Sequence, residues 1–101
     1  MTYEHKKGVA NMWCENQQLL KVCIDRLVRR NKLAKSTIIA DEIGMTHDKF
    51  HSCISISPRT PITSSERVAI EHQIARRDLE TFTEYLRSFH LLDTITVEEV
   101  V

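Results

Sequence analysis

The chain has 101 residues, with 14 Lys and Arg against 14 Asp and Glu and a formal net charge of zero. That length holds one domain, or a small domain plus an oligomerisation element, and the scarcity of Gly and Pro (two each) predicts an all-α protein. No apolar run reaches the roughly 18 residues of a membrane span, and the N-terminus lacks a signal-peptide core.

In chain order, residues 1–10 are polar, with Lys6, Lys7 and Gly8, and read as a short N-terminal arm. From Asn11 to about Lys32 the residues Trp13, Leu20, Cys23, Ile24, Leu27 and Val28 recur at three- and four-residue steps, the period of a long first helix. Arg26, Arg29, Arg30 and Lys32 crowd its last turns, where cations suit the negative end of the helix dipole. Leu33 to Lys35 is a connection, and Ser36 or Thr37 is a cap for a second helix running to Ile43.

The window from Ser36 to Ser55 carries the spacing of a helix-turn-helix. Ala40 is small enough for two helices to cross closely, and Gly44 falls where the turn needs positive φ. Ile39 and Ile43 before the turn, and Phe50 and Cys53 after it, face the interior, with Met45 as an apolar lid. Thr46 caps a third helix from His47 to about Ser55. Pro58 and Pro61 then forbid a continuous helix, and Thr63 to Glu66 is a capping-box sequence.

Beyond that cap, Val68, His72, Ala75, Leu79, Phe82, Leu86 and Phe89 alternate in steps of four and three, a heptad stripe. Ile70, Ile74 and Tyr85 make a flanking stripe. The pattern fits a helical oligomerisation element over 63–90, with Val68, Ala75, Leu79, Phe82, Tyr85, Leu86 and Phe89 as its contact residues. Its alternatives are a helix buried in the monomer, or two shorter helices bent near Arg76-Arg77-Asp78. Residues 91–101 read as a flexible acidic tail. The domain plan is therefore arm 1–10, reading head 11–62, assembly element 63–90 and tail 91–101.

Charge is unevenly spread. Residues 1–35 hold eight Lys/Arg against three Asp/Glu, 36–60 two against three, and 61–101 four against eight. Such a chain can turn a basic face to phosphates while its acidic end points away, although an ordinary solvated surface gives the same counts. In a helix-turn-helix the second helix lies in the major groove. Thr46, His47, Asp48, Lys49 and Ser52 are then the groove-facing residues, with His51 reached by a slight roll. Lys49 suits guanine or phosphate, Thr46, His47 and Ser52 suit a base edge or phosphate, and Asp48 suits cytosine but repels phosphate. Lys35, Ser36, Thr37 and Arg59 are candidate phosphate contacts. One helix reads too few base pairs for genomic specificity, so a two-fold dimer reading paired half-sites is expected.

Other chemistries are weakly signalled. His47 and His51, four apart with Cys53 nearby, have zinc-like spacing, but no further carboxylate or thiol is placed to complete a set, and no metal or cofactor is expected. No nucleophile–base arrangement, glycine-rich phosphate loop or carboxylate pair suggests an enzyme. Cys14, Cys23 and Cys53 read as free thiols of a reducing, intracellular compartment. His72 reads as a registry-setting or partly exposed polar residue in the stripe rather than a ligand.

The segment Thr37-Ile-Ile-Ala40-Asp-Glu-Ile-Gly44-Met-Thr-His-Asp-Lys-Phe50, preceded by a long helix and followed by a Pro-containing link and an apolar helix, resembles the small lambda-repressor-like regulators of phages and prophages. The layout is most similar to lysogeny activators of the lambda CII type. The resemblance spans roughly Leu19 to Leu86, and only the Ala40/Gly44 segment is specific. It implies a sequence-specific transcription regulator in the bacterial cytoplasm, dimeric or tetrameric through its C-terminal helix, acting on a double-stranded operator and with RNA polymerase as a further partner. By position, Thr46 to Ser52 are the groove readers and Leu79 to Phe89 the assembly surface. The family member carries a Trp and extra basic residues after its recognition helix, where this chain has Ile54-Ser-Ile-Ser57. The competing reading is a protein-interaction module, such as an antitoxin, antirepressor or anti-host-defence protein, that uses the same hairpin against a protein.

Overall fold

Leu20, Ile24 and Leu27 stand about one turn apart and are fully buried, so one face of the first helix is the wall on which the rest is assembled. The computed structural model describes the backbone of residues 2–88 and the side chains of 13–88, and every regular element among them is helical. The order is α1 (Thr2–Arg29), α2 (Thr37–Ile43), α3 (His47–Cys53), α4 (Ser64–Arg77) and α5, which starts at residue 79 and runs through 88. Helix α4 packs on α1 and α2, and α2 packs on α3. Their inward residues, among them Ile39, Ala40, Phe50, Ile54, Ile70, Ile74 and Tyr85, join one hydrophobic cluster with α1. Each fully buried aliphatic or Phe side chain contributes about 1.5–3 kcal/mol.

The stops are chemical. Helix α1 ends at Arg29, and Asn31 takes a left-handed φ of 60°. The Lys32 N–H then reaches Leu27 O at 2.9 Å and the Asn31 N–H reaches Val28 O at 3.1 Å, a Schellman closure. Three boundaries differ from the expectation. The arm expected over residues 1–10 is helical from Thr2, so α1 is continuous through Gly8. Helix α3 stops at Cys53 rather than near Ser55. Ser36 lies in the helical region and makes no side-chain cap, because α2 opens with tight bonds from Ile38 N to Lys35 O and from Ile39 N to Ser36 O.

The larger correction concerns the heptad stripe. Asp78 is extended (φ −158°, ψ 100°) and separates α4 from α5, which is the bent alternative. Its N–H closes α4 on Ile74 O at 3.0 Å, its carbonyl accepts from Phe82 N at 3.1 Å, and its carboxylate accepts from the Thr81 hydroxyl. Asp thus serves as the N-cap of α5, a role its short acceptor side chain favours. Helix α5 folds back on α1 and α4. Arg30 donates to Thr81 Oγ1 at 2.7 Å and pairs with Glu84 at 3.0 Å, and the Tyr85 hydroxyl donates to Glu71 at 2.6 Å. Residues 63–88 therefore share the core of 13–54.

One buried side chain anchors the long non-helical link from Ile54 to Thr63 at three points. Gln17 on α1 is only 2% exposed. Its Nε2 donates to Cys53 O at 2.7 Å and Thr60 O at 2.8 Å, and its Oε1 accepts from Ile62 N at 3.1 Å. Gln18 makes a comparable bond, Nε2 to Ile56 O at 2.7 Å, but at the surface. Removing Gln17 strands the buried Cys53 carbonyl and two part-buried backbone groups, whereas water replaces Gln18. Gln17→Leu is therefore expected to lower unfolding free energy in urea by about 2–4 kcal/mol, and Gln18→Leu by less than about 0.5 kcal/mol. Equal effects would mean that the amide network does not hold the link.

Candidate functional site

The α2–α3 hairpin is built as its spacing requires. Gly44 has φ 73°, and the Met45 N–H bonds to Ala40 O at 2.9 Å while the Gly44 N–H bonds to Asp41 O at 3.3 Å, a second Schellman closure. Met45 is buried against the core, and Ile39 and Ala40 are fully buried beneath the turn. Ile43, expected inside, is half-buried at the rim. The Thr46 side chain accepts from Lys49 N at 3.2 Å and starts α3. Phe50 and Cys53 then point inward, so His47, Asp48, Lys49 and His51 lie on an exposed face.

That face carries partners of its own. His47 Nε2 lies 2.8 Å from Asp41 Oδ1, joining the start of α3 to α2. Lys49 Nζ donates to Glu66 Oε2 at 2.7 Å, bridging to the first turn of α4. Ser52 is half-buried, its hydroxyl 2.9 Å from Thr60 Oγ1 and its carbonyl taken by Arg59 N at 2.9 Å. Ser52 is thus part of the link's anchoring, set back from the outer face. Lys35 and Arg59 are exposed, and Ser36 and Thr37 are half-buried at the start of α2. The hairpin gathers Thr46, His47, Asp48 and Lys49 on one surface, with Ser52 and Arg59 beside it.

Local fields follow these contacts. The Lys49 hydrogen bond, followed by the Thr63 backbone N–H, holds the Glu66 carboxyl below its ordinary 4.5 and raises the Lys49 ammonium. Burial pushes the Cys53 thiol up, and the Cys23 thiol up to about 12, so both are neutral packing groups. Across the molecule the Arg30 hydrogen bond holds Glu84 low. Among the described residues no three of His, Cys, Asp and Glu converge as metal ligands, and no helix is long and apolar enough to cross a membrane.

The expected assembly residues divide. Tyr85 is buried in the chain's own core, a correction to its place on an assembly surface, and Phe82 and Leu86 are half-buried against that core. Ala75 is half-buried, whereas Val68 is 58% and Leu79 68% exposed. Phe89 and the tail lie outside the described residues. The flanking stripe of Ile70, Ile74 and Tyr85 is the one that faces inward. Val68 lines a shallow groove with Ile43, Ala69, His72 and Gln73. The sequence reading missed Gln17, and also the pairing of Glu66 with Lys49, which are too far apart in the chain to form a local signal.

No family model, no characterised protein and no solved structure matches this chain.

Glu66 and Glu84 bind protons less readily folded than unfolded, because their pKa values are depressed in the native state. The stability they contribute is therefore present above the unfolded value near 4.5 and is lost as pH falls through the folded values. The thermal midpoint is expected to stay level from neutrality to about pH 5 and to drop below that. Glu66→Gln should shallow the drop. A midpoint that rises on acidification would contradict the pairing.

Proposed function

We propose that the chain is a sequence-specific DNA-binding regulator of transcription that presents α3 to the major groove and acts as a symmetric oligomer. The observation that carries this reading is the α2–turn–α3 unit itself: the Schellman turn at Gly44 and the buried Phe50 aim His47, Asp48 and Lys49 outward on a face the described chain leaves uncovered. Arg59 and Lys35 flank the hairpin as exposed cations. Exposed Val68 and Leu79, with the groove beside Ile43, provide apolar surface for a second copy. An origin in a phage or prophage, and contact with RNA polymerase, follow from the resemblance of the Thr37–Phe50 segment.

A second reading, a module that binds a protein through the same hairpin, draws on the charge of that face. Asp48 is exposed, Lys49 is paired with Glu66 and His47 with Asp41, so α3 offers little net positive charge.

Fluorescence anisotropy with duplexes selected from a random pool separates the two. A DNA reader should enrich one sequence and lose affinity steeply with salt. Lys49→Ala combined with Arg59→Ala is expected to weaken the selected duplex at least fivefold and to flatten the salt slope by about one for each phosphate no longer neutralised. Undiminished binding would remove α3 from the groove, and no enrichment would favour the protein-binding module. For assembly, Val68→Asp with Leu79→Asp should halve the mass in solution while leaving the circular dichroism helical. An unaltered mass would place the interface elsewhere.

A further inference from the structure

One carboxylate serves two elements at the edge of the α3 face. Glu66 Oε1 accepts from Thr63 N at 2.8 Å, closing the capping box of α4, while Oε2 accepts from Lys49 Nζ at 2.7 Å. The carboxylate side is the better anchored, with the Glu66 side chain 24% exposed against 45% for Lys49. The capping box has already fixed Glu66, so forming the pair orders mainly the lysine side chain. Lys49 is also the only Lys or Arg in α3. The charge that α3 has for a phosphate is therefore the charge Glu66 holds.

We propose that Glu66 is an electrostatic gate on the α3 surface, competing within the molecule against nucleic-acid phosphate for Lys49. The inference rests on the DNA-reading function proposed above and names how that surface is tuned. A duplex gains the lysine only by displacing a carboxylate, so every duplex is bound more weakly than a free lysine would allow. The competition is between charges and applies to all sequences alike. Discrimination among sequences then falls to the donors and acceptors of Thr46 and His47 and to the acceptor Asp48.

The test is anisotropy of a labelled random-sequence duplex across a salt series with the full chain, Glu66→Gln, Lys49→Ala and the double variant. Glu80→Gln serves as a control for the loss of one negative charge at an exposed site on α5. Gln supports a capping box as Glu does, so Glu66→Gln leaves α4 capped, which circular dichroism checks. The gate predicts roughly two- to fivefold tighter binding for Glu66→Gln, the range an exposed ion pair is worth. It also predicts no such gain in Glu80→Gln, and no gain once Lys49 is Ala. If all variants bind but Glu66→Gln matches the parent, the gate is overturned while the DNA reading stands. If the gain persists without Lys49, or appears equally in Glu80→Gln, only net charge is at work and the gate is again overturned. If every helical variant, parent included, ignores duplex DNA, the DNA reading falls and the gate with it.

Discussion

The carboxamide of Gln17 sits where three segments meet: the end of α3, the turn at Thr60 and the entry to α4. The last carbonyls of any helix lack intrahelical partners, and a link containing two prolines has no ladder of its own to satisfy its polar groups. One buried amide, with two donated bonds and one accepted, meets both needs from the wall of α1. Because the same side chain grips Cys53 and Ile62, it sets how far α3 and α4 stand apart. The Lys49–Glu66 pair spans that interval. The position of α3 thus depends on a residue of α1, two helices earlier in the chain.

Around this joint the energetics are divided by depth. Apolar burial by Leu20, Ile24, Leu27, Ile39, Phe50, Ile70 and Ile74 supplies the driving force, and its lack of direction leaves the relative placement of helices open. Directional bonds then select one placement. Glu42 pairs with Arg76 and Arg77 to tie α2 to α4, and Glu84 with Arg26 and Arg30 to tie α5 to α1. These pairs are part-exposed and individually small in effect, so their role is orientation more than stability. Arg26 and Arg30 belong to the basic N-terminal third, which is therefore partly engaged within the molecule. A surplus of charge in the sequence does not become a basic face of equal size for that reason.

The hairpin and the stripe show what patterns of residues can and cannot convey. Ala40, Gly44, Met45, Thr46 and Phe50 act over one or two turns, through close approach, positive φ and a local cap, so their roles were readable from spacing, and α2 runs from Thr37 to Ile43 as expected. The heptad from Val68 onward met the same standard of periodicity and was resolved differently. Its period is continued across Asp78 by a chain that turns there, and a repeat of apolar residues does not register a single extended residue. The inward stripe proved to be Ile70, Ile74 and Tyr85, because α5 folds back and brings Tyr85 to Glu71.

Taken alone, the residues settled the helical class, both glycine- and threonine-governed ends of the hairpin, the capping box at Thr63 and the apolar face of α1, each a matter of neighbours within a few positions. Tertiary structure alone decided which of two apolar stripes is core, that Gln17 holds the proline link, and that Lys49 meets Glu66. Those outcomes join residues separated by 14 to 45 positions. At such separations the partner is chosen by how packed helices lie in space, and nothing in the local order of side chains encodes that distance.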